Sequence, residues 1–337
     1  MNLKELSRLL GLSQTTVSRA LNGYPEVAEA TRKRVEQAAQ DHGYRPNARA
    51  RGLATGRAMA VAQVIPADWL GMLANPILAE AVAGATEAFA AAGYETTLAP
   101  VTDAAAATAY GDMAARGAVD GALVHMPAVL DPHIAALEET RLPFVVHGQP
   151  LTVDAAYPWV GLNGVEAARQ ATRLLLRGGH SRIGLINGPT GLALSAQRAQ
   201  GYRSVVKRRG LDMAPDLIRH CALSEMAGHD AAAALLDSAT PPTALLTATL
   251  PQALGAARAV AERSGQVALA THDDVFDMMG GTEAPPRFAG TRAPIRETAR
   301  RAAEMLLERI AAPDTPAQGE RAAMQVVTDP VVPAPGV

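Results

Sequence analysis

Seven consecutive residues near the N-terminus, Ser13 to Arg19, carry side chains suited to reading nucleic acid. The segment Ser-Gln-Thr-Thr-Val-Ser-Arg concentrates hydroxyls, an amide and a guanidinium within about two helical turns. Groups of this kind form hydrogen bonds with base edges in the major groove and with phosphates. Val17, Ala20 and Leu21 supply an apolar side. The segment is therefore predicted to be a short helix that packs on a core through one face and presents the other to DNA.

Two further helices are predicted to position this segment. Leucines recur at helical spacing from Leu3 to Leu10, and Gly11 is expected to end this first helix because glycine readily adopts the left-handed conformation. Ser13 fits the N-cap of the second helix, so the pair forms a helix-turn-helix. A third helix is predicted from Ala28 to Asp41, with its apolar side chains facing inward: Val35, Ala38 and Ala39.

The segment from Pro46 to Arg57 combines three arginines, small residues and one large apolar side chain, Leu53. One interpretation is a flexible basic linker. The other is a short helix that folds only on DNA, where its alanines approach the minor groove and Leu53 wedges between base steps.

Charge is distributed unevenly along the chain. The 337 residues carry a formal net charge of -2. Residues 1–57 hold ten Lys/Arg against five Asp/Glu, a net of +5, and the remainder holds 21 against 28, a net of -7. This asymmetry is typical of a basic DNA-binding part attached to an acidic body.

The composition also restricts the chemistry that we expect. The single cysteine, Cys221, excludes an internal disulfide and a thiolate metal cluster, and no metal or cofactor is expected. The sequence contains no apolar run of about 18 residues and no apolar signal core at its start, so no membrane association and a cytoplasmic location are expected. The motifs of nucleotide-binding, serine-hydrolase and zinc-protease enzymes are absent from the sequence, which argues against an enzyme.

The acidic body alternates strands and helices in two successive series. Strands at 59–65, 94–100, 119–124 and 143–147 alternate with helices at 76–92, 103–116 and 131–139. After Trp159 come helices at 162–178, 196–209, 226–237 and 251–263, with strands at 182–186, 217–222, 243–247 and 266–270. This alternation predicts two α/β lobes with parallel sheets covered by helices on both faces. A ligand crevice is expected between them, at the carboxyl ends of the strands.

Several motifs together resemble the headpiece of LacI-family repressors. They occur in unbroken order: Ser13 to Leu21, Asn22-Gly23, Pro25-Glu26-Val27, Gly43 to Asn47, and Ala50 to Leu53. The two-lobed body is similar to the periplasmic sugar-binding-protein fold that this family uses. The resemblance implies an all-α helix-turn-helix headpiece (1–44), a hinge (45–57), and an α/β effector-binding and dimerisation domain (58–337). It implies that the first lobe comprises about 58–157 plus 291–320, and the second about 160–289 plus 322–329.

The resemblance also assigns roles by position in the headpiece. It implies that Gln14, Thr15 and Arg19 read bases, and that Thr16, Ser18 and Asn22 contact phosphates or the nearby groove. Ala50 and Leu53 become the minor-groove pair. Two further residues complete the implied DNA-contacting set: Ser13 and Asn47.

In the body, Arg198 is the leading effector-binding candidate. The stretch from Arg198 to Tyr202 resembles the family signature Arg-x-x-Gly-[Tyr/Phe], whose arginine grips the effector. Asp273 matches an acidic family position that accepts sugar hydroxyls. The other candidates at predicted strand ends are Trp69, Asn75, His147, Asn163 and Thr249.

Some of these candidates have two interpretations. Asn75 is either a helix cap or a ligand group, and Trp69 either stacks on a sugar or packs under a loop. The family's usual Asp-Arg is replaced by His147-Gly148, and its usual Asn-Asp by Thr249-Leu250. His147 either accepts a sugar hydroxyl or is structural. These departures leave the identity of the effector open.

The sequence thus predicts a transcriptional repressor that acts as a homodimer, or as a tetramer by further pairing, on a pseudo-palindromic operator. A small molecule in the cleft, a carbohydrate such as an α-glucoside, is expected to control operator binding. The alternatives are a non-sugar effector such as a purine or a sugar acid, and a free-standing sugar-binding protein. Whether the effector induces or co-represses does not follow from the sequence.

Overall fold

Leu6, Val17 and Val35 are fully buried at the centre of an N-terminal three-helix bundle. The computed structural model describes residues 1–21, 24–44, 56–67, 75–151, 155–211, 214–263, 266–272, 288–323 and 325–328. The bundle comprises α1 (Leu3–Leu10), α2 (Gln14–Leu21) and α3 (Glu29–Asp41). Asn2 caps α1 in a reciprocal hydrogen-bonded pair with Glu5, and Gly11 ends the helix with φ 65°. Both the predicted end of the first helix and the start of the third are confirmed.

Two expectations within the bundle need correction. The helical spacing of the four leucines predicts that all of them face inward, but Leu9 is 54% exposed, since it lies at the edge of the buried side of α1, three residues after the fully buried Leu6. The run Arg32-Lys33-Arg34 is expected from its sequence to form a solvated charged face. In fact Arg32 Nη2 donates to Tyr24 O at 2.9 Å, and Arg34 donates to Leu10 O at the end of α1. Two of the three cations therefore brace the bundle.

Six parallel strands form the sheet of the first lobe. They are β1 (Ala60–Pro66), β2 (Glu95–Val101), β3 (Gly121–His125), β4 (Phe144–His147), β5 (Trp159–Leu162) and β11 (Gly319–Ala322), in the order β11-β5-β4-β3-β1-β2. One face packs against α4 (Pro76–Ala91) and α11 (Ile295–Ala311), with Phe89 and Leu306 fully buried there. The other face packs against α5 (Ala106–Ala115) and α6 (Pro132–Glu138), where Tyr110 and Leu137 are fully buried.

The second lobe repeats this arrangement. Its strands are β6 (Ile183–Asn187), β7 (Ile218–His220), β8 (Ala244–Thr247), β9 (Ala268–His272), β10 (Ala289–Arg292) and β12 (Gln325–Val327), in the order β12-β10-β9-β8-β6-β7. All pairs are parallel except β10 with β12. Helices α7 (Gly164–Arg177) and α8 (Ala193–Arg208) cover one face, and α9 (Glu225–Leu236) and α10 (Leu250–Glu262) cover the other. The predicted fold class is confirmed.

The structure moves two of the expected lobe boundaries. The sequence indicated a helix from Leu162 and placed 160–162 in the second lobe, but residues 159–162 form β5, which pairs with β4 and β11 in the first sheet. Residues 291 and 292 were placed in the first lobe, but they end β10 in the second sheet. After β10 the chain returns to the first lobe, where it forms α11 and β11, and then crosses to the second lobe, where β12 pairs with β10. The family resemblance implied this crossing between the lobes. None of the helices in the described ranges is long and apolar enough to cross a membrane.

Candidate DNA-reading surface and effector cleft

The polar side chains in and before α2 form two groups: some face the solvent, and others form hydrogen bonds at the start of the helix. Gln14, Thr15 and Arg19 are exposed, whereas Val17 and Ala20 are fully buried against the other two helices. The face implied to read bases therefore points away from the bundle core. Ser18 lies between the two faces and is partly buried.

Ser13 and Thr16 have a structural role in the bundle. Ser13 Oγ accepts the Thr16 backbone N–H at 3.0 Å, which confirms the predicted N-cap, and the two hydroxyl oxygens lie 2.8 Å apart. Arg19 Nη1 lies 3.6 Å from Glu26 Oε1 in the turn before α3, with the Arg19 side chain 52% exposed. A pair this exposed contributes little stability, so Arg19 can exchange Glu26 for DNA. Four residues implied to contact DNA lie outside the described residues: Asn22, Asn47, Ala50 and Leu53.

Arg198 lies in the N-terminal half of α8 and is only 3% exposed. The signature around it has a packing explanation. A Cβ at Gly201 would lie 2.3 Å from Val165 O, so only glycine allows α8 to approach α7 this closely. Tyr202 donates from its hydroxyl to Ile183 O in β6 at 2.6 Å. Together these contacts hold α8 against α7 and the sheet. They therefore fix the position of the Arg198 backbone from which the side chain extends.

Arg198 also acts on His272, the last residue of β9. The pKa of His272 is held well below its usual value, first by complete burial and then by the positive charge of Arg198. The charge of Arg198 therefore acts at the carboxyl end of β9, which is the edge of the sheet where the crevice is predicted. Asp273, the next candidate along the chain, lies outside the described residues, as does Trp69.

Asn75 and Gln197 join the two lobes. Asn75 Oδ1 accepts the Ile77 N–H at 3.0 Å and so caps α4, while its Nδ2 donates to Leu223 O of the second lobe at 3.2 Å. Gln197 Nε2 donates to Gln149 O and Pro150 O of the first lobe, at 2.9 Å and 3.0 Å. Of the two interpretations of Asn75, the helix cap is therefore present in the structure, and an effector contact stays a prediction.

Two other candidates also take part in local hydrogen bonds. Asn163 Oδ1 accepts the Glu166 N–H at 3.0 Å, so it caps α7. Thr249 is 1% exposed, and its hydroxyl lies 3.5 Å from Gln252 Oε1 at the start of α10. Each of these side chains positions a helix at the cleft, and their contact with an effector stays a prediction.

His147 belongs to a buried hydrogen-bonded chain that crosses the first lobe. His147 Nδ1 lies 3.1 Å from His125 Nδ1, and His125 Nε2 lies 2.7 Å from Gln63 Oε1. Gln63 Nε2 donates to Thr86 Oγ1 on α4 at 2.9 Å, and His147 Nε2 lies 2.9 Å from Thr298 Oγ1 on α11. The chain therefore connects the two helices on one face of the sheet through three neighbouring strands. Sequence reasoning missed it, although a glutamine inside the apolar run of β1 was a visible signal.

The donors and acceptors of this chain fix the protonation of both rings. Because Gln63 donates through its amide nitrogen, its oxygen must accept from His125 Nε2–H. His125 Nδ1 then carries a lone pair and accepts from His147 Nδ1–H. His147 Nε2 is left as the acceptor that faces Thr298 Oγ1 at 2.9 Å, and the single hydroxyl proton of Thr298 is shared between His147 Nε2 and Ile295 O, to which Thr298 Oγ1 also donates at 2.9 Å. Both imidazoles are neutral, and a sugar hydroxyl can reach a nitrogen of His147 only by displacing one of these bonds.

The pKa values of the two histidines agree with this neutral arrangement. Burial lowers the pKa of His147 to about 4 from a usual 6.5. The pKa of His125 is also well below its usual value, because of burial first and the charge that His147 would carry second.

This burial predicts acid sensitivity. Between pH 6.5 and 4 the unfolded chain binds a proton at His147 that the folded chain does not. The contribution of neutral His147 to the free energy of unfolding is therefore complete above pH 6.5 and is lost as the pH falls toward 4. By pH 5 the expected loss is about 2 kcal/mol for this histidine. Urea unfolding across this pH range measures it, and His147→Gln should show a shallower slope. An identical slope in wild type and variant would contradict the assignment.

His147 also borders an apolar pocket at the carboxyl ends of β3, β4 and β5. Ile77, Leu162 and Ile295 of the first lobe contribute to it, together with Leu192 and Leu194 of the second. Leu194 and Arg198 are four residues apart on α8 and so lie on the same helix face. The pocket and the arginine therefore form neighbouring parts of one cleft, apolar on one side and cationic on the other, an arrangement common in small-molecule sites.

Two family models match the chain. Residues 2–47 match the family described as bacterial regulatory proteins, lacI family. Residues 67–326 match the family described as periplasmic binding proteins and sugar binding domain of LacI family. The first match covers the three-helix bundle, and the second covers both lobes apart from β1 and the last residue of β12.

Curated relatives agree with these matches. The HTH-type transcriptional regulator AglR of Rhizobium meliloti (strain 1021) is 37% identical over 311 residues, which cover 91% of this chain and 87% of the relative. The HTH-type transcriptional regulator CelR of Thermobifida fusca is 31% identical over 314 residues, 91% of each chain. Both are named as transcriptional regulators.

Solved structures agree on the whole architecture. A transcriptional regulator CelR–cellobiose complex is 28% identical, with a TM-score of 0.72, and the alignment covers 97% of this chain and 98% of the other. The Lac repressor dimer bound to operator and the anti-inducer ONPF is 22% identical, with a TM-score of 0.77 and 97% coverage of both chains. The second likeness shows the shared fold.

Proposed function

The chain belongs to the LacI family of bacterial regulatory proteins, and from that premise we propose that it is a repressor whose operator binding is controlled by a disaccharide-sized carbohydrate in the cleft. Two copies bind a pseudo-palindromic operator through the exposed face of α2, because two-fold protein symmetry is mirrored in the DNA. The protein acts in the bacterial cytoplasm, where its operator lies.

The observation that carries the carbohydrate assignment is the composition of the cleft. Arg198, a residue that is 3% exposed, carries a guanidinium that can donate several hydrogen bonds to hydroxyls, and the pocket near it offers apolar side chains to the carbon face of a sugar ring. The cellobiose complex of CelR, whose sequence is 28% identical to this chain, supports a ligand with two sugar rings.

We propose that the effector contacts Arg198 and the apolar pocket first. The remaining candidates stay proposed contacts: Trp69, Asn75, His147, Asn163, Thr249 and Asp273. In the headpiece the proposed base contacts are Gln14, Thr15 and Arg19. Thr16, Ser18 and Asn22 are proposed to contact phosphates or the nearby groove, Ser13 and Asn47 are further DNA contacts, and Ala50 and Leu53 are proposed to enter the minor groove.

A thermal-shift panel tests the effector class. We expect one disaccharide among cellobiose, maltose, trehalose and sucrose to raise the Tm by about 5–10 °C at 100 times its Kd, because a ligand that binds only the folded state stabilises it by about 2.7 kcal/mol under these conditions. Sorbitol at the same concentration controls for a general osmolyte effect. A shift produced only by purines, nucleosides or glucuronate would overturn the carbohydrate assignment and leave the DNA-binding assignment intact.

A further inference from the structure

A short antiparallel bridge joins the two lobes at the edge of the apolar pocket. Ala128, which follows β3 in the first lobe, pairs with Leu192, which precedes α8 in the second. The Val129 N–H donates to Gly191 O at 2.8 Å, and the Ala193 N–H donates to Pro127 O at 3.1 Å. These are backbone hydrogen bonds between segments that are far apart in sequence, and they form only when the lobes are at one separation.

The first-lobe strand of the bridge is held in an unusual backbone conformation. Met126, between β3 and Pro127, has φ 53°, a value that residues other than glycine rarely adopt. Its N–H donates to His147 O at 3.0 Å, which keeps the turn in place. Such a conformation is strained, so the surrounding structure must compensate for it, as is common near functional sites.

The bridge and the pocket share residues. Met126 and Pro127 on one side, and Leu192 on the other, line the pocket and also form or flank the bridge. The bridge is therefore part of the pocket wall. Separation of residues 127–129 from residues 191–193 removes that wall and opens the pocket between the lobes.

We propose that residues 127–129 and 191–193 form a latch across the effector cleft, which must open before an effector can enter or leave. The inference rests on the proposed function in one respect, that the pocket is the effector site. Two backbone hydrogen bonds are few enough to break on the timescale of lobe opening, and they are enough to favour the closed arrangement. The latch sets the rate of effector exchange, while the affinity depends on the contacts inside the cleft.

Ala193→Pro removes one latch bond at a position that accepts proline. Ala193 is the first residue of α8, where proline is favoured, and Leu192 before it has φ -79° and ψ 134°, which suit a residue that precedes proline. Stopped-flow measurements with cellobiose, or with the disaccharide that the thermal-shift panel selects, should show association and dissociation rates that both rise about 3- to 10-fold. Ala193→Gly keeps the N–H and is the matched control, with rates near those of wild type.

A reversible crosslink makes the opposite change. Ala128 and Leu192 form a non-hydrogen-bonded pair, in which opposite Cα atoms lie about 4.5 Å apart, within the range that a disulfide spans. In a Cys221→Ser background, Ala128→Cys with Leu192→Cys should close the latch on oxidation. Exchange should then slow at least 10-fold and recover on addition of a reductant, and because the two forms share one sequence, any packing loss from Leu192→Cys cancels.

The outcomes separate the latch from the proposed function. Equal exchange rates in the oxidised and reduced forms would overturn the latch while leaving the effector site in place. If no disaccharide binds the reduced form, the proposed effector class fails, and the latch is then tested without ligand. In that test hydrogen exchange at the Val129 amide should be slow in wild type and Ala193→Gly and faster in Ala193→Pro, and an unprotected Val129 amide in wild type would contradict the latch.

Discussion

Arg198→Ala is expected to abolish the response to the effector while operator affinity in the absence of effector stays at the wild-type value. Arg198 is 3% exposed and shares a face of α8 with Leu194, which lines the apolar pocket. Removal of a buried charged donor to sugar hydroxyls costs about 2–5 kcal/mol of binding, a loss of roughly 30-fold or more. Titration of the selected disaccharide against an operator complex, followed by fluorescence anisotropy, measures both quantities.

A matched control separates this effect from a general loss of charge on α8. Arg203 is exposed on the same helix, so Arg203→Ala should respond normally. Thermal unfolding of Arg198→Ala without ligand shows whether the second lobe remains folded. A folded variant with a normal effector response would remove Arg198 from the site.

Arg19→Ala is expected to weaken operator binding by about 1–3 kcal/mol and to relax the preference at one base position in each half-site. Arg19 is 52% exposed on the polar face of α2, opposite the buried Val17 and Ala20, and its only ion pair is a weak one with Glu26 within the described residues. The headpiece should stay folded because Leu6, Val17 and Val35 keep their contacts. Binding-site selection with wild type and variant gives both the affinity and the base preference.

Lys33→Ala is the control for Arg19. Lys33 is 74% exposed on α3, and its removal takes the same charge from the same bundle. It should weaken binding to all sequences alike and leave base preference unchanged, since a general loss of positive charge acts through the phosphates. If Arg19→Ala also weakens all sequences alike, Arg19 contacts phosphate and does not read a base.

Local chemistry explains why the headpiece was the most predictable part of the chain. Gly11, Ser13 and the apolar spacing of Val17 and Ala20 each act within one or two helical turns, so a single sequence contains the whole argument. Leu9 was placed wrongly because four leucines in eight residues cannot all face one small core. The lobes were predictable as a class because alternating strands and helices imply parallel sheets.

The features that depend on contacts between distant segments could not be predicted. Strand β5 is four residues long, Trp-Val-Gly-Leu, and adjoins a helix, so its apolar pattern does not distinguish a strand from a helix start. The bonds of Asn75 to Leu223 and of His147 to His125 and Thr298 join residues 22 to 151 positions apart. The sequence pattern predicted polar side chains at strand ends. It did not show that their hydrogen bonds are made to other groups of the protein.

The latch had no sequence signal because it is made of backbone groups. Pro127, Val129, Gly191 and Ala193 contribute carbonyls and amides that every residue type offers, with the exception of the proline N–H. Only the conformation of Met126 distinguishes the segment, and its φ value is visible in the structure alone.

The effector cleft and the DNA-reading helix α2 are expected to be thermodynamically coupled. By linkage, an effector that alters operator affinity by some factor must bind the operator complex and the free protein with affinities that differ by the same factor, typically 5- to 150-fold. Calorimetric titration of the selected disaccharide into free protein and into the protein–operator complex measures this directly. We expect two different Kd values for the disaccharide, and equal Kd values in the two titrations would show that the cleft and α2 are not coupled.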